Sequence, residues 1–493
     1  MAPTRKRARY HKDELIIEEL PDISLLTPKE SSDVEATTLS DVPPPTELSI
    51  GAIHHLYSNS TVGKLWGIAT KALQQPKPPI YFPEYTKPGG TKYVYRELDF
   101  WTSGFFPGSL HLLLERQRNF KATGVHEQHL EFACRWWTES LHQNAHLSTT
   151  HDLGFMIAPW AKVAWDLNHD YRALETMKTA AKTLHGRFSK NVGLIRSWDT
   201  CVTKRYEFLD PDNEFLTVID NMMNLDLLFY VAQQTGNGAM YEAAAQHART
   251  TQQNHIRDDF STIHLVTFDP NTGGVRERLT NQGYTDTSCW TRGQAWAIAG
   301  FAETYNWTHD RSFLETAVNC ADYFLHRLPE SGVPPWDFDA EDDAKRDGKT
   351  SQAPDVSAAM ITAYGLLLIH KALVSLGKPS KYLNHALRLV NAVAMHHINP
   401  PSSFIEHTER IEMVERPTED VVTVSVEPGG AETILNGATI NNHEFAPRRW
   451  ANHGLVYADY YFLLVGNELL KMDVGGLVGR VTPFKAAPSQ MRS

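Results

Sequence analysis

Cysteine is scarce in this chain. Only four occur in 493 residues, Cys134, Cys201, Cys289 and Cys320, and none forms a CxxC pair. That spacing excludes a zinc ribbon and a CxxC redox motif, and scattered thiols fit a reducing compartment. No uninterrupted apolar run reads as a membrane span. The opening residues, MAPTRKRARYHKDELIIEEL, are charged and lack an apolar centre. No secretory signal is read there, and the expected location is cytoplasmic. Positive charge is also in deficit, with 47 basic against 58 acidic residues and a net charge of −11. A phosphate backbone needs a positive field, so nucleic acid is excluded as the main ligand. A small anion held by one or two arginines is not excluded. HExxH, GxSxG, the P-loop and the dinucleotide fingerprint are all missing, so no metal and no cofactor is expected.

What remains is an ordinary globular composition, 42% hydrophobic and 21% charged. Residues 1–47 are rich in charge, Ser, Thr and Pro and end in Val42-Pro43-Pro44-Pro45, which reads as a disordered tail. Its basic cluster, Arg5 to Arg9, is compatible with a nuclear address or with a solvated tail. Six segments are then unusually apolar and rich in small residues. They begin at Trp101, Asp152, Asp220, Cys289, Asp355 and His453. Each follows a more polar helical stretch, around 51–74, 124–143, 170–188, 239–256, 311–328 and 380–397. The polar stretch AMYEAAAQHARTTQQNHI carries a one-sided apolar stripe, as outer helices do, whereas the six segments are apolar nearly all round. Six inner and six outer helices in alternation predict an all-α fold, the (α/α)6 barrel, over residues 48–475. An open solenoid is the structural rival. Residues 398–430, with TEDVVTVSVEPGG, read as an insertion with strand character, and 476–493 as a C-terminal tail.

If the ring closes, all inner helices begin at one mouth. Asp152, Asp220 and Asp355 would meet there, with Arg292 in the first turn of a fourth helix. Asp220 opens the apolar run of FLTVIDNMMNLDLLF, 215–229. Helix capping accounts for such an Asp. So does a catalytic carboxylate pair in an aromatic pocket. Both readings stay open for Asp152 and Asp220. The segment LTNQGYTDTSCWTRGQAW, 279–296, places Arg292 and Trp296 four residues apart on one helix face, with Gln294 pointing elsewhere. An Arg fork suits a carboxylate and a Trp face suits a sugar ring, while Thr280 and Gln282 add polar groups. An Arg–Asp structural pair beside a core Trp is the alternative. His264 alternates with apolar residues on what reads as a short hairpin edge, and a structural role is open for it too. Twelve Trp and 18 Tyr in an acidic helical chain favour carbohydrate over nucleotide.

Several motifs in order then carry a family resemblance: FWTSGFFPG (100–108), HDLGF (151–155), RSWD (196–199), VIDNMMNLDLL (218–228), DFSTIHLVTFDP (259–270), TNQGYTDTSCWTRGQAWAIAGFA (280–302), DVSAA (355–359) and YADYYFLL (457–464). Over about residues 80–470 the chain resembles the unsaturated glucuronyl hydrolases, glycoside hydrolase family 88. The resemblance implies an (α/α)6 barrel. It implies removal of a 4,5-unsaturated uronic acid from the non-reducing end of lyase-made oligosaccharides, by hydration of the C4=C5 vinyl ether. It implies that Asp220 is the acid/base and Asp152 the second essential carboxylate. His151, Trp198, His264, Gln282, Trp290, Arg292 and Trp296 match positions resembling the family's sugar pocket, with Trp101 as one wall and Thr280 within reach. Asn281 departs from the family, whose members often carry His before the Gln-Gly pair, and this bears on subsite preference. Related rhamnogalacturonyl hydrolases, an ordinary two-carboxylate glycosidase and a non-catalytic carbohydrate-binding toroid are the rival readings. A monomer or weak homo-oligomer is expected.

Overall fold

The computed structural model describes residues 53–341, 352–415, 417, 419–427 and 429–480. The expected N-terminal tail and most of the expected C-terminal tail lie outside these residues. Contacts divide the chain at Thr46/Glu47, and the larger unit is the one described below.

Twelve helices of the described residues alternate between an outer and an inner ring. The outer helices are α1 (Asn59–Leu73), α3 (Glu127–Thr138), α5 (Tyr171–His185), α7 (Gly238–His255), α9 (Arg311–His326) and α11 (Tyr382–His397). The inner helices are α2 (Phe105–Phe120), α4 (Leu153–Asn168), α6 (Leu225–Thr235), α8 (Thr291–Thr308), α10 (Val356–Ser375) and α12 (Val456–Lys471). Each inner helix packs on the next, and α12 packs back on α2, so the ring is closed and the solenoid is excluded. Buried polar groups clasp the closure. Arg116 of α2 donates Nε to Asn467 Oδ1 (2.9 Å) and Nη1 to the Leu56 carbonyl (2.8 Å), and Asn467 Nδ2 donates to the Leu112 carbonyl (2.9 Å). Buried donors need such partners, because an unmet one costs about 1–3 kcal/mol.

The helix α10 corrects one expectation. Its 20 residues are long and apolar enough to cross a membrane by composition, with a hydropathy of 1.5, yet 78% of that window is buried inside the protein. A helix apolar all round is what the centre of a double ring requires.

The two ends of the barrel differ in loop length. Inner helices pass to outer ones through shorter turns, and three of the five repeat one device. His169, Gly236 and His309 take left-handed backbone conformations and end α4, α6 and α8. The next residue, Asp170, Asn237 or Asp310, then caps the following outer helix through its side chain. Outer-to-inner connections are long and lie at the opposite end. They hold the hairpin β1 (Tyr81–Thr86) and β2 (Tyr93–Glu97), and a three-stranded antiparallel sheet of β3 (Phe215–Val218), β4 (Leu265–Phe268) and β5 (Val275–Leu279). The segment around His264, expected at a hairpin edge, therefore leads into the central strand β4. Residues 398–430 form a further hairpin, β6 (Ser403–Ile411) with β7 (Glu419–Glu427), whose Val426 rests on Gly63 and Gly67 of α1.

Candidate active site

The sheet aims three residues at one point. Val218, Leu265 and Leu279 are in register across β3, β4 and β5, so the residues just beyond them cluster: Asp220, His264 and Thr280. The Ile219 amide donates to the His264 carbonyl (3.0 Å), which fixes Asp220 beside the imidazole. Asp220 occupies a 3-10 turn, Ile219–Asn224, rather than the α-helix expected there, and α6 begins only at Leu225. The RSWD loop ties this turn to α4. The Ser197 hydroxyl accepts from the Val218 amide (3.1 Å), the His151 amide donates to the Ser197 carbonyl (3.0 Å), and Asn221 Nδ2 donates to the Ile195 carbonyl (2.9 Å).

Neither Asp152 nor Asp220 caps a helix. Asp152 stands at the cap position of α4 but accepts no backbone amide there, and the turn holding Asp220 is likewise uncapped. Asp355 does cap α10, accepting from the Ser357 amide (3.1 Å). Capping therefore accounts for one of the three carboxylates. Asp152 instead accepts from the Thr150 hydroxyl (2.6 Å) and lies 3.2 Å from His151 Nε2.

The Asp220 side chain is 17% exposed, yet its Oδ2 is buried without a hydrogen-bond partner, so the exposed part is the rest of the group. Burial pushes this carboxyl up to about 7. Arg292 opposes that rise, Asp152 adds to it, and Trp296 Nε1 faces the carboxyl from beyond hydrogen-bonding geometry and weakly favours its ionised form. Desolvation of the charged form is the dominant cause.

Both histidines are neutral and present the same face. His264 Nδ1 accepts from the Asn281 amide (3.0 Å) and the Gln282 amide (3.2 Å), so its proton is on Nε2, 3.6 Å from Asp220 Oδ2. Burial first, and Arg292 next, hold its pKa down to about 3. His151 Nδ1 accepts from Asn224 Nδ2 (3.3 Å), which likewise leaves Nε2–H toward Asp152. Burial lowers its pKa as well. Each carboxylate thus faces one imidazole N–H whose tautomer is set from behind.

Arg292 is 1% exposed. Its Nη1 donates to Asp355 Oδ2 (2.7 Å) and the Thr439 carbonyl (3.1 Å), and its Nη2 to the Ile440 carbonyl (2.7 Å). The Arg–Asp pair is present, with Nη1 and Nη2 bonded from within, while Nε is buried without a hydrogen-bond partner. Gln294 turns away, bonding the carbonyls of Phe260 and Cys320. Trp290 and Trp296 are buried. Trp290 packs against His264, with ring centroids 4.7 Å apart, and under the Arg292 guanidinium. Trp296 packs against Phe155 (5.2 Å). Thr280 is a loop strut whose hydroxyl accepts from the Gly283 amide (2.8 Å). Trp101, Trp198 and Gln282 are half-buried, as are Asp152 and Asp220. Trp101 stacks toward Tyr457 (5.0 Å) and Phe155 (5.4 Å), and the Trp198 edge meets His151 (6.3 Å).

Sequence reasoning missed Thr150 and Asn224, which orient Asp152 and His151. Asn224 lies inside the IDNMMNL motif, so the signal was present without its spatial partner. It also missed the loop at 439–440 that closes over Arg292.

The chain is 31% identical over 373 residues to an unsaturated glucuronyl hydrolase of Formosa agariphila, across 74% of this chain and 78% of that protein. The chain belongs to the unsaturated glucuronyl hydrolases. It is also 30% identical over 388 residues to an unsaturated chondroitin disaccharide hydrolase of Streptococcus pneumoniae, covering 78% of this chain and 86% of that one. Among solved structures, that of an unsaturated glucuronyl hydrolase specific for heparin superposes with a TM-score of 0.68 at 27% identity, over 86% of this chain and 98% of that chain. No family model matches the chain. The unsaturated glucuronyl hydrolases share the (α/α)6 barrel described above, and membership makes this protein a glycoside hydrolase of that type.

Proposed function

We propose that Asp220 is the acid/base with which this hydrolase removes a 4,5-unsaturated uronic acid from the non-reducing end of an oligosaccharide. The observation that carries the reading is the buried, unpartnered Asp220 Oδ2, whose pKa is pushed up to about 7. Protonation of an alkene carbon needs an acid that keeps its proton near neutral pH, and then needs the conjugate base. A carboxyl raised by desolvation supplies both forms.

In this reading the Asp220 proton goes to C4, and positive charge develops at C5 and the ring oxygen. The carboxylate so formed takes a proton from water, whose oxygen bonds to C5. The product is a hemiketal. It opens to a ketone at C5, the former ring oxygen remains as a hydroxyl on C1, and C1 expels the aglycone alcohol to become an aldehyde. One water is added overall and Asp220 regains its proton. Asp152, anchored by Thr150 and His151, positions a ring hydroxyl and raises Asp220. His264 Nε2–H steadies the ionised Asp220. Trp101 and Trp198 flank the sugar, and Gln282 bonds it. Trp290, Trp296 and Arg292 support the wall from inside, and Thr280 holds the loop.

The test is a panel of lyase-made unsaturated disaccharides followed by the ultraviolet absorbance of the C4=C5–carboxylate system. Loss of absorbance, abolished in Asp220→Asn, is the expected result, and the panel ranks the substrates. Cleavage of saturated glycosides with the absorbance retained would move the protein to ordinary glycosidase chemistry.

A further inference from the structure

A groove of about 960 Å³ opens on the barrel rim between the second half of α5 and the segment 187–199. The turn at His169–Asp170 joins α4 to α5 at the short-loop end, so the last turns of α5 lie at the mouth end. The groove is lined by four cations, Lys178, Lys182, Arg187 and Arg196, with His146, against one carboxylate, Asp199.

The charge there is not cancelled. Asp199 pairs with Arg187 (2.9 Å), and Lys178 is met by Glu175 (2.7 Å), outside the groove lining. Arg196 is held by the carbonyls of Glu214 and Pro211. Lys182 is exposed and has no partner among the described residues. Lys178 and Lys182 are four residues apart on one helix face, where like charges repel. A chain with net charge −11 thus concentrates positive charge in one concavity, and concave walls focus such a field on an anion.

The groove borders the segments that carry the site. Ser148 and Asp199 line it. Two residues after Ser148, Thr150 pairs with Trp198 as an isolated bridge and holds Asp152 through its hydroxyl. The segments 148–152 and 197–199 therefore carry groove-lining residues and site residues within a few positions of each other.

We propose that this groove binds the anionic sugars, uronate or sulfated, that follow the terminal residue in a longer oligosaccharide, and that the enzyme prefers such chains over disaccharides. This rests on the function proposed above and extends its substrate class.

The experiment compares an unsaturated disaccharide with an unsaturated hexasaccharide of the same anionic polymer, using the full chain and the variant Lys178→Glu/Lys182→Glu. For the hexasaccharide, kcat/KM falls about tenfold, chiefly through KM, as expected for reversing two screened surface contacts. The disaccharide value stays within about twofold of the parent. The parent's preference for the hexasaccharide is lost in about 1 M salt, where the screening length is ~3 Å. Lys178→Gln/Lys182→Gln gives a smaller loss of the same kind, and keeps the test valid if the double Glu variant misfolds. Equal losses on both substrates, or no length preference in the parent, overturn the groove. If the parent turns over neither substrate, the proposed function fails instead. The groove is then judged by calorimetry with a saturated anionic hexasaccharide: binding lost in the Gln variant supports it, and no binding overturns it.

Discussion

His264 Nε2 stands 3.6 Å from Asp220 Oδ2, and it stands there as a neutral donor. Two backbone amides occupy its Nδ1, so protonation of the ring would break both hydrogen bonds. The contact is therefore an N–H facing a carboxyl, not an ion pair. It can stabilise the ionised acid without holding the acid permanently ionised, which a full positive charge at that distance would do.

Asp220→Asn is expected to remove about 99–99.99% of kcat on any substrate the parent turns over, the loss typical of an essential acid/base. Its stability should respond in the opposite sense. A carboxyl whose folded pKa, about 7, lies above its usual 3.8 contributes stability that is complete below pH 4 and lost as pH rises through 7. The variant lacks that loss. Its Tm relative to the parent should rise between pH 5 and pH 8, by roughly 2–3 °C for a protein of this size. Histidine titrations are common to both proteins and cancel in the difference. A constant Tm difference over that range would contradict the burial argument.

Asp152→Asn removes a charge that raises Asp220. The alkaline limb of kcat should move toward lower pH by a fraction of a unit, because burial is the larger cause. Activity also falls at the optimum, since the Thr150–Asp152–His151 arrangement loses one of its two acceptor oxygens. A pH–rate profile of the residual activity checks the direction.

Asn224→Asp tests the tautomer of His151. An Asp at this position accepts rather than donates, so the His151 proton moves to Nδ1 and Nε2 no longer presents N–H to Asp152. A fall in kcat of about 10–100-fold is expected with the fold retained. Asn224 Oδ1 also accepts from the Phe155 amide (3.3 Å), which Asp preserves. Circular dichroism together with kcat separates the two effects.

Gly154→Ala should disrupt the site through sterics. An added Cβ would lie 2.7 Å from Asn224 Cα and 2.5 Å from its Oδ1. The backbone of α4 must then retreat from the turn carrying Asp220. Overpacking of this kind costs about 1–3 kcal/mol. Thermal unfolding should show that loss, and kcat should fall further than stability explains.

Asp355→Asn should destabilise more than any surface change, by about 3–5 kcal/mol, because it leaves the Arg292 guanidinium buried without its counter-charge. Urea unfolding measures it. Any surviving native enzyme should show a changed pH profile, since Arg292 also bears on Asp220.

Much of this protein was legible in the chain. The alternation of one-sided and all-round apolar helices gave six inner and six outer helices, because a helix at the centre of a double ring has no polar face to keep. The motifs marked Asp152, Asp220 and Arg292. Several things were decided only in three dimensions. Ring closure brings α12 back onto α2, with Arg116 meeting Asn467 hundreds of residues away, and no local pattern encodes that. Asp220 reads either as a helix cap or as a catalytic carboxylate in sequence, and the register of three strands places it in a 3-10 turn with one oxygen buried. Arg292 reads equally as a fork for a bound carboxylate or as half of an Arg–Asp pair, and the fold brings Asp355 and two carbonyls to its Nη atoms. Residue type and periodicity determine which face of a helix is buried; the pKa of a carboxyl and the tautomer of a histidine depend on what the fold packs beside them.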